Sequence, residues 1–328
     1  MAEDTRKVSW GILSTADIGL SKVIPAMLHS ELSSVEAIAS RSSDRAAEAA
    51  ARLGIPRNYG TYEELLADPE IEAVYIPLPN HMHAEWTIAA AKAGKHVLCE
   101  KPLAMSSAVA REMVDACDRS GVKLMEAFMY RLHPLWKHTF EMVKSGAIGE
   151  LRSMQAVFSY FNDDPANIRN IPEFGGGALY DIGCYPINAA RLLFGSEPTS
   201  VKAVIKRDVE LGTDVVASAL LDFDGRHASF ICSTQMEPDQ RVDIYGTEGR
   251  LTLEIPFNIP PDVPARLFSH LGGSEPEIHE MPVADQYTIQ ADAFSRAIRE
   301  DGPVPVPPAD AVANLEVIER IFADAEPN

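Results

Sequence analysis

Short, uninterrupted apolar runs alternate with helix-length patterns through the first 126 residues, and few folds accommodate that alternation. Strands are predicted at Val8 to Leu13, Val35 to Ser40, Ala73 to Ile76, His96 to Cys99 and Val122 to Glu126. None shows the polar alternation of a half-exposed strand, so each is expected to be buried on both faces. Helices are predicted between them. Ile18 to Leu28 follows the first strand, and Asp44 to Leu53 is stopped by Gly54. Thr61 and Glu64 form a capping box, Ala84 to Ala93 ends at Gly94, and Ser107 to Arg119 ends at Gly121. Strand–helix–strand repeats of this length connect parallel strands, and ligands then bind at the strands' carboxyl ends.

The pattern changes near Phe128. After a helix over Pro134 to Lys144, strands are predicted at Leu151 to Tyr160, Val201 to Lys206, Val215 to Phe223 and Ala228 to Ser233. Asp224-Gly225 makes a hairpin turn and Glu248-Gly249 a second turn, while Pro256 to Pro264 reads as a loop. Gly177 to Leu193, Asp292 to Arg299 and Ala309 to Phe322 read as helices. At 328 residues the chain exceeds what one core usually holds. The expected fold is an α/β Rossmann domain over residues 1–126, then an α+β domain over 127–328 with a large, mainly antiparallel open sheet. Its strands carry more apolar positions than a one-sided sheet needs, which predicts a homodimer through the open sheet face.

The formal net charge of −19 repels phosphate backbones and anionic lipids, so no nucleic-acid or membrane partner is expected. No apolar run approaches the ~18 residues of a membrane-spanning helix. The polar segment Met1 to Lys7 lacks the pattern of a secretory signal. Cys99, Cys117, Cys184 and Cys232 are scattered and form no CxxC pair, as in a reduced cytoplasmic protein with buried thiols. His81 and His83 have no cysteine or carboxylate set to complete a metal site, so none is expected.

The first strand runs into Gly11-Ile-Leu-Ser-Thr-Ala-Asp-Ile-Gly19. In a G-x-G-x-x-G phosphate turn the glycine positions fall on Ser14, Ala16 and Gly19, so two are replaced by small residues. Ser14, Thr15, Ala16, Asp17 and Ile18 are therefore candidates for the pyrophosphate, although an ordinary strand–turn–helix gives a similar text. At the end of the second strand, Ser40-Arg41-Ser42-Ser43 holds no carboxylate for a ribose 2′-hydroxyl. A guanidinium among hydroxyls suits a 2′-phosphate, making Ser40, Arg41 and Arg45 candidates for NADP(H). The alternative is a solvated arginine beside a serine N-cap. The fourth strand ends in Tyr75-Ile-Pro-Leu-Pro-Asn-His-Met-His83 and the next in Cys99-Glu-Lys-Pro102. Pro77, Leu78, Asn80, His83, Glu100 and Lys101 thereby join the crevice candidates, with capping of the next helix as the alternative for His83.

These segments resemble the glucose–fructose oxidoreductase, inositol dehydrogenase and rhizopine catabolism (Gfo/Idh/MocA) family. The resemblance rests on the degenerate glycine turn, Pro79-Asn80 with His83, Glu100-Lys101-Pro102, Met125 to Arg131, Gly175-Gly176-Gly177, Asp181-Ile-Gly-Cys-Tyr185 and Gln286-Tyr287. It implies that Lys101 faces nicotinamide and substrate, positioned by Glu100 and Pro102, across a Lys101–Pro102 bond that tends to be cis. Tyr130 and Arg131 begin the second domain and either face the nicotinamide side of the cleft or serve packing. Tyr185 stands where many members carry histidine. This resembles the subgroup of glucose–fructose oxidoreductase, NADP-dependent xylose dehydrogenases and dimeric dihydrodiol dehydrogenases. The chain shows no N-terminal arm, which favours the plain dehydrogenases.

Oxidising a hydroxyl removes its proton as hydride leaves the carbon. Free tyrosine, with a pKa of about 10, is a weak base at neutrality, and a neighbouring ammonium favours the phenolate. Lys101 and Tyr185 are the expected acid–base pair. Asp181, four residues before Tyr185, shares its helix face and either holds substrate hydroxyls or orients the lysine. Asn162, Asp163 and Arg169 occupy a polar loop suited either to sugar hydroxyls or to solvent. The expected activity is hydride transfer between NADP(H) and an aldose, polyol or related small sugar substrate. A dihydrodiol dehydrogenase or keto-sugar reductase is the alternative enzyme, and a non-catalytic NADP-binding sensor the alternative of another class.

Overall fold

The computed structural model describes residues 6–273 and 275–325; most of the Met1 to Lys7 segment read above lies outside them. The chain divides into two compact units. The first runs up to Met129 and takes back Gln286–Val312; the second comprises Tyr130–Asp285 and the chain from Ala313. A single cut at 126/127 misses this return.

In the first unit β1 (Val8–Leu13), β2 (Ser33–Ala39), β3 (Arg57–Tyr59), β4 (Ala73–Ile76), β5 (His96–Cys99) and β6 (Leu124–Glu126) form one sheet in the order β3-β2-β1-β4-β5-β6. Every pairing is parallel. Strand order reverses between β1 and β4, which creates the crevice where doubly wound sheets bind ligands. The helix signals act as read. Ser42 accepts the Arg45 N–H at 3.4 Å, Ser106 that of Val109 at 3.2 Å, and Gly54 and Gly121 end their helices with φ of 68° and 65°. The returning helix Gln286–Arg299 completes this unit's core. Phe294 packs 5.8 Å from the buried Trp10 ring, and the indole donates to Ser295 Oγ at 3.1 Å. Arg299 pairs with Glu72 at 2.5 Å.

The second unit is built on an eight-stranded sheet. Its strands are β7 (Leu151–Phe161), β8 (Ser200–Arg207), β9 (Asp214–Asp222), β10 (His227–Ser233), β11 (Gln235–Gly246), β12 (Gly249–Leu253), β13 (Arg266–Leu271) and β14 (Glu277–Glu280). They lie in the order β14-β13-β12-β11-β7-β10-β9-β8. Only β7 and β10 pair in parallel; the other neighbours are antiparallel. Asp224 and Gly225, both at positive φ, turn β9 into β10 as read. One sheet face is core, with Met154, Ala156, Phe158, Ala228, Phe230 and Ile244 buried. On the other face Val157, Leu220 and Ile231 are only partly covered or exposed, and Val204 is 76% exposed.

Candidate active site

The nucleotide candidates of the first unit come from four adjacent strands and gather at their carboxyl ends. Ser14 to Ala16 form the turn after β1, and Asp17 and Ile18 begin the following helix. Ser14 holds φ at 143°, a conformation that favours glycine, and its Oγ accepts the Ala16 N–H at 3.0 Å. The hydroxyl thus secures a turn that the family's usual glycine would make by conformational freedom. After β2, Ser40 is buried, its Oγ accepting the Ser42 N–H at 3.3 Å, while Arg41 and Arg45 are exposed. Tyr62, which the sequence reading passed over, stands close to both segments: its phenol feels the Ser14 and Arg41 side chains. Burial raises the phenol's pKa and the Arg41 charge opposes that rise. The capping box at Thr61 and Glu64 sets Tyr62 at the first helical position, and its ring packs edge-on against Trp86 at 4.7 Å.

Pro77 and Leu78 are buried after β4, and Asn80 is half-buried in the following turn. His83 is completely buried; Nδ1 lies 2.9 Å from the Pro102 carbonyl and Nε2 2.7 Å from that of Leu78. Two carbonyl partners favour a doubly protonated ring. Burial outweighs them, with a smaller contribution from the Lys101 charge, and lowers the pKa to about 4. His83 is therefore neutral at pH 7. Its ring spans the two loops that flank the strand ends.

Lys101 is half-buried beyond β5, and the Lys101–Pro102 bond is cis. Glu100 is fixed by Tyr75, whose hydroxyl donates to Oε1 at 2.5 Å, and Oε2 accepts the Lys101 backbone N–H at 3.4 Å. Glu126 Oε1 takes the Leu103 N–H at 2.7 Å. The backbone amides of Lys101 and Leu103 are thereby held by the half-buried Glu100 and the buried Glu126.

Asp181, Tyr185 and Arg131 belong to the second unit. Leu179–Gly183 is a π-helical turn that continues as the α-helix Cys184–Phe194, so Asp181 and Tyr185 sit on consecutive turns of one helical segment. Such turns recur at functional sites. Asp181 Oδ2 receives the Tyr160 hydroxyl at 2.5 Å and the Arg169 Nε–H at 3.1 Å. The Tyr185 ring is enclosed by Phe257 at 5.2 Å, Phe158 at 5.5 Å and Tyr130 at 5.8 Å. Tyr130 donates to Asn188 Oδ1 at 2.6 Å, and the Arg131 guanidinium reaches the same oxygen at 3.5 Å. Tyr160 was not among the sequence candidates: it lies on β7, where an aromatic reads as packing.

The sequence from 9 to 128 matches a family model described as an oxidoreductase family with an NAD-binding Rossmann fold, and 136–252 matches the GFO/IDH/MocA C-terminal domain. The chain belongs to the Gfo/Idh/MocA oxidoreductase family. An uncharacterized oxidoreductase of Rhizobium meliloti is 48% identical, with 97% of each chain covered. A D-xylose 1-dehydrogenase (NADP(+)) of Haloferax volcanii is 41% identical, again with 97% of each covered. Among solved structures, a 3-ketoreductase from Actinomadura kijaniata in complex with NADP and TDP-benzene superposes with a TM-score of 0.91. It is 31% identical, covering 97% of this chain and 98% of that one. The resemblance read from the motifs and the two-part fold are thus both borne out.

Among the described residues, no group of three or more His, Cys, Asp or Glu side chains is arranged to hold a metal, and no helix is long and apolar enough to cross a membrane. All four cysteines are buried and free, and burial raises the Cys99, Cys117 and Cys232 thiols, Cys117 to about 12.

Proposed function

We propose that this oxidoreductase interconverts a hydroxyl and a carbonyl on an aldose or related polyol, with NADP(H) as its redox partner. The observation that carries the catalytic reading is the Asp181 carboxylate, held by Tyr160 and Arg169 four residues ahead of Tyr185. A nucleotide sensor needs only the first unit's crevice and has no use for a carboxylate fixed in this way.

The first unit's residues fit the dinucleotide. The Ser14 turn leads into a helix N-terminus suited to the pyrophosphate. Arg41, exposed after β2, suits the 2′-phosphate with Ser40 and Arg45 beside it. Pro77, Leu78 and Asn80 line the crevice beyond β4. When bound, NADP(+) supplies the acceptor for the hydride that leaves the substrate carbon. Tyr185 takes the hydroxyl proton as the carbon–oxygen double bond forms, and returns it to the oxygen in reduction. Lys101 supplies the positive charge that favours phenolate and developing alkoxide. Asp181 accepts hydrogen bonds from substrate hydroxyls, and Arg131 secures the nicotinamide side. This assignment rests on the family motifs and on the local geometry within each unit.

The proposal extends to assembly and location. The open face of the second sheet carries Val157, Val204, Leu220 and Ile231 beside a shallow depression of about 720 Å³. Its centre is apolar, and Arg241–Asp243 and Lys202–Asp324 ion pairs flank it. A two-fold axis places such a surface on its own copy, so a homodimer is the occupant that suits it. Four buried reduced thiols suit the cytoplasm.

The test is a screen of aldoses and polyols with NADP and NAD, xylose and glucose first, followed at the nicotinamide absorbance. Turnover of at least one sugar with NADP is expected. Tight NADP binding without turnover of any sugar, keto-sugar or dihydrodiol would leave the sensor reading in its place.

A further inference from the structure

The glycine-rich segment before the helix bearing Asp181 and Tyr185 points to a further residue, one that touches neither substrate nor nucleotide in the reading above. Asp214, the first residue of β9, is 1% exposed. Its Oδ2 accepts the Leu179 N–H at 2.7 Å. This amide belongs to the first residue of the π-turn, among the helix-start N–H groups that ordinarily lack an intrahelical partner.

The neighbouring glycines make room for this contact. A Cβ on Gly177 would stand 2.0 Å from Asp214 Oδ1, and Gly177 holds φ at 116°, so glycine is required twice over. A Cβ on Gly176 would stand 2.5 Å from the Arg169 carbonyl oxygen. That carbonyl accepts the Gly177 N–H at 2.9 Å, and the Gly177 carbonyl in turn accepts the Asp181 N–H at 3.0 Å. The Arg169 side chain then returns to Asp181 Oδ2. The polar loop, the glycine turn and the start of the helix thus form one closed circuit, and Asp214 pins it to the sheet.

We infer that Asp214 is a positioning residue that fixes the helical segment carrying Asp181 and Tyr185 by binding the Leu179 amide from β9. The inference deepens the proposed function and rests on Tyr185 and Asp181 acting on substrate. Burying a carboxylate is costly unless hydrogen bonds compensate, so this side chain is placed where a neutral residue packs more cheaply. The bond it makes goes to the segment whose register decides where the phenol stands. Displacement of a reacting group by about 1 Å is enough to cost roughly 100-fold in rate.

The experiment compares wild type with Asp214→Ala, Asp214→Asn and Gly177→Ala by peptide-resolved amide hydrogen exchange and by kinetics. In Asp214→Ala, exchange over 177–187 is expected to accelerate about tenfold or more, the size of one lost charge-assisted hydrogen bond. Exchange in β1 and β2 is expected to stay unchanged. On a sugar that the wild type oxidises, kcat falls about 10- to 100-fold while the Kd for NADP stays within about twofold. Asp214→Asn, which keeps one acceptor oxygen, restores most of both. Gly177→Ala, which drives the carboxylate off by contact, reproduces the alanine variant even if Asp214→Ala folds poorly. Unaltered exchange over 177–187, or acceleration spread equally through both units, overturns the inference. The exchange result stands whether or not a sugar is found, so failure of the dehydrogenase reading is told apart from failure of this one.

Discussion

The Tyr160 hydroxyl donates to Oδ2 of Asp181 at 2.5 Å, the same oxygen that accepts from Arg169. Burial, with the Asp181 charge and this hydrogen bond, pushes the Tyr160 phenol far above the ordinary tyrosine range, against an opposing pull from Arg169. Tyr160 therefore stays a proton donor at every working pH and cannot be the titrating base. Tyr160→Phe is expected to lower kcat/KM by about tenfold, the loss of one hydrogen bond to a charged group, and to leave the shape of the pH–rate profile unchanged. Asp181→Asn should cost more, because it removes the charge both donors serve. A Tyr160→Phe enzyme whose acid limb disappears would show that the wrong tyrosine has been made the base.

Cofactor choice is expected to turn on Arg41. Arg41 is exposed after β2, so a 2′-phosphate there would add a charge-assisted contact. Wild type should show a lower KM for NADP than for NAD. Arg41→Asp should reverse or flatten that ratio, since a carboxylate repels phosphate and binds a ribose hydroxyl. Initial rates with both cofactors decide it, and a wild-type preference for NAD removes Arg41 from the site.

The acid–base pair makes a sharper prediction. Tyr185→Phe should lose roughly 10²–10⁴-fold in kcat with NADP affinity nearly intact, the usual size of a general acid–base contribution. Lys101→Met should lose a comparable amount, and the double variant little more than either, because the lysine acts on the phenol that the first change has removed. Fully additive losses in this cycle would mean that the two residues work independently. A Phe variant with wild-type kcat would reduce Tyr185 to one more ring among Phe158, Phe257 and Tyr130.

How much of this was legible depended on burial. The first sheet was readable because its central strands, such as Val8–Leu13 and Ala73–Ile76, are buried on both faces and contain no polar break. β3 escaped notice, since Arg57-Asn58-Tyr59 is a short polar edge held only by its neighbour. β11 escaped because Glu237, Pro238 and Asp239 interrupt it where its register to β7 shifts between Gln235 and Asp239. The outer strands β13 and β14, with Ser269, His270 and Glu277, lack an apolar period. The return of Gln286–Arg299 to the first unit depends on Trp10 and Phe294, nearly three hundred residues apart, and no local pattern encodes it. Among candidate site residues the motifs supplied Lys101, Asp181 and Tyr185, whereas Tyr160 and Asp214 make long-range hydrogen bonds that spacing does not reveal.

Association should be sensitive to the open sheet face. Val204 is 76% exposed on β8 and lies in one cross-strand row with Ser218, Ile231 and Val157. Val204→Asp places an uncompensated charge at the centre of any apolar contact there, at a position with little role in the fold. Light scattering should show a wild-type dimer that the variant converts to monomer, with Tm changed little for the isolated chain. A wild type that is monomeric on dilution defeats the homodimer directly.

Asp214 also gives stability a characteristic pH dependence. Burial raises its carboxyl from 3.8 to about 6, against the hydrogen bond from Leu179 and the charge of Arg207. Cys232 and Tyr180, the other titratable groups that feel it, have thiol and phenol raised far above this range and stay neutral through it. A raised carboxyl binds its proton more tightly folded than unfolded. Its protonated form thus favours the native state below pH 3.8, and that advantage is lost as pH rises through about 6. Asn is neutral at every pH and keeps one acceptor for the helix amide, so Asp214→Asn loses this dependence. The stability difference, variant minus wild type, should therefore climb between pH 4 and 6 by up to about 3 kcal/mol and level off above. Urea midpoints of the two proteins across pH 4 to 8 measure it without any substrate. A flat difference would mean that the carboxyl titrates near its unfolded value, and that its bond to the helix fully offsets the cost of its burial.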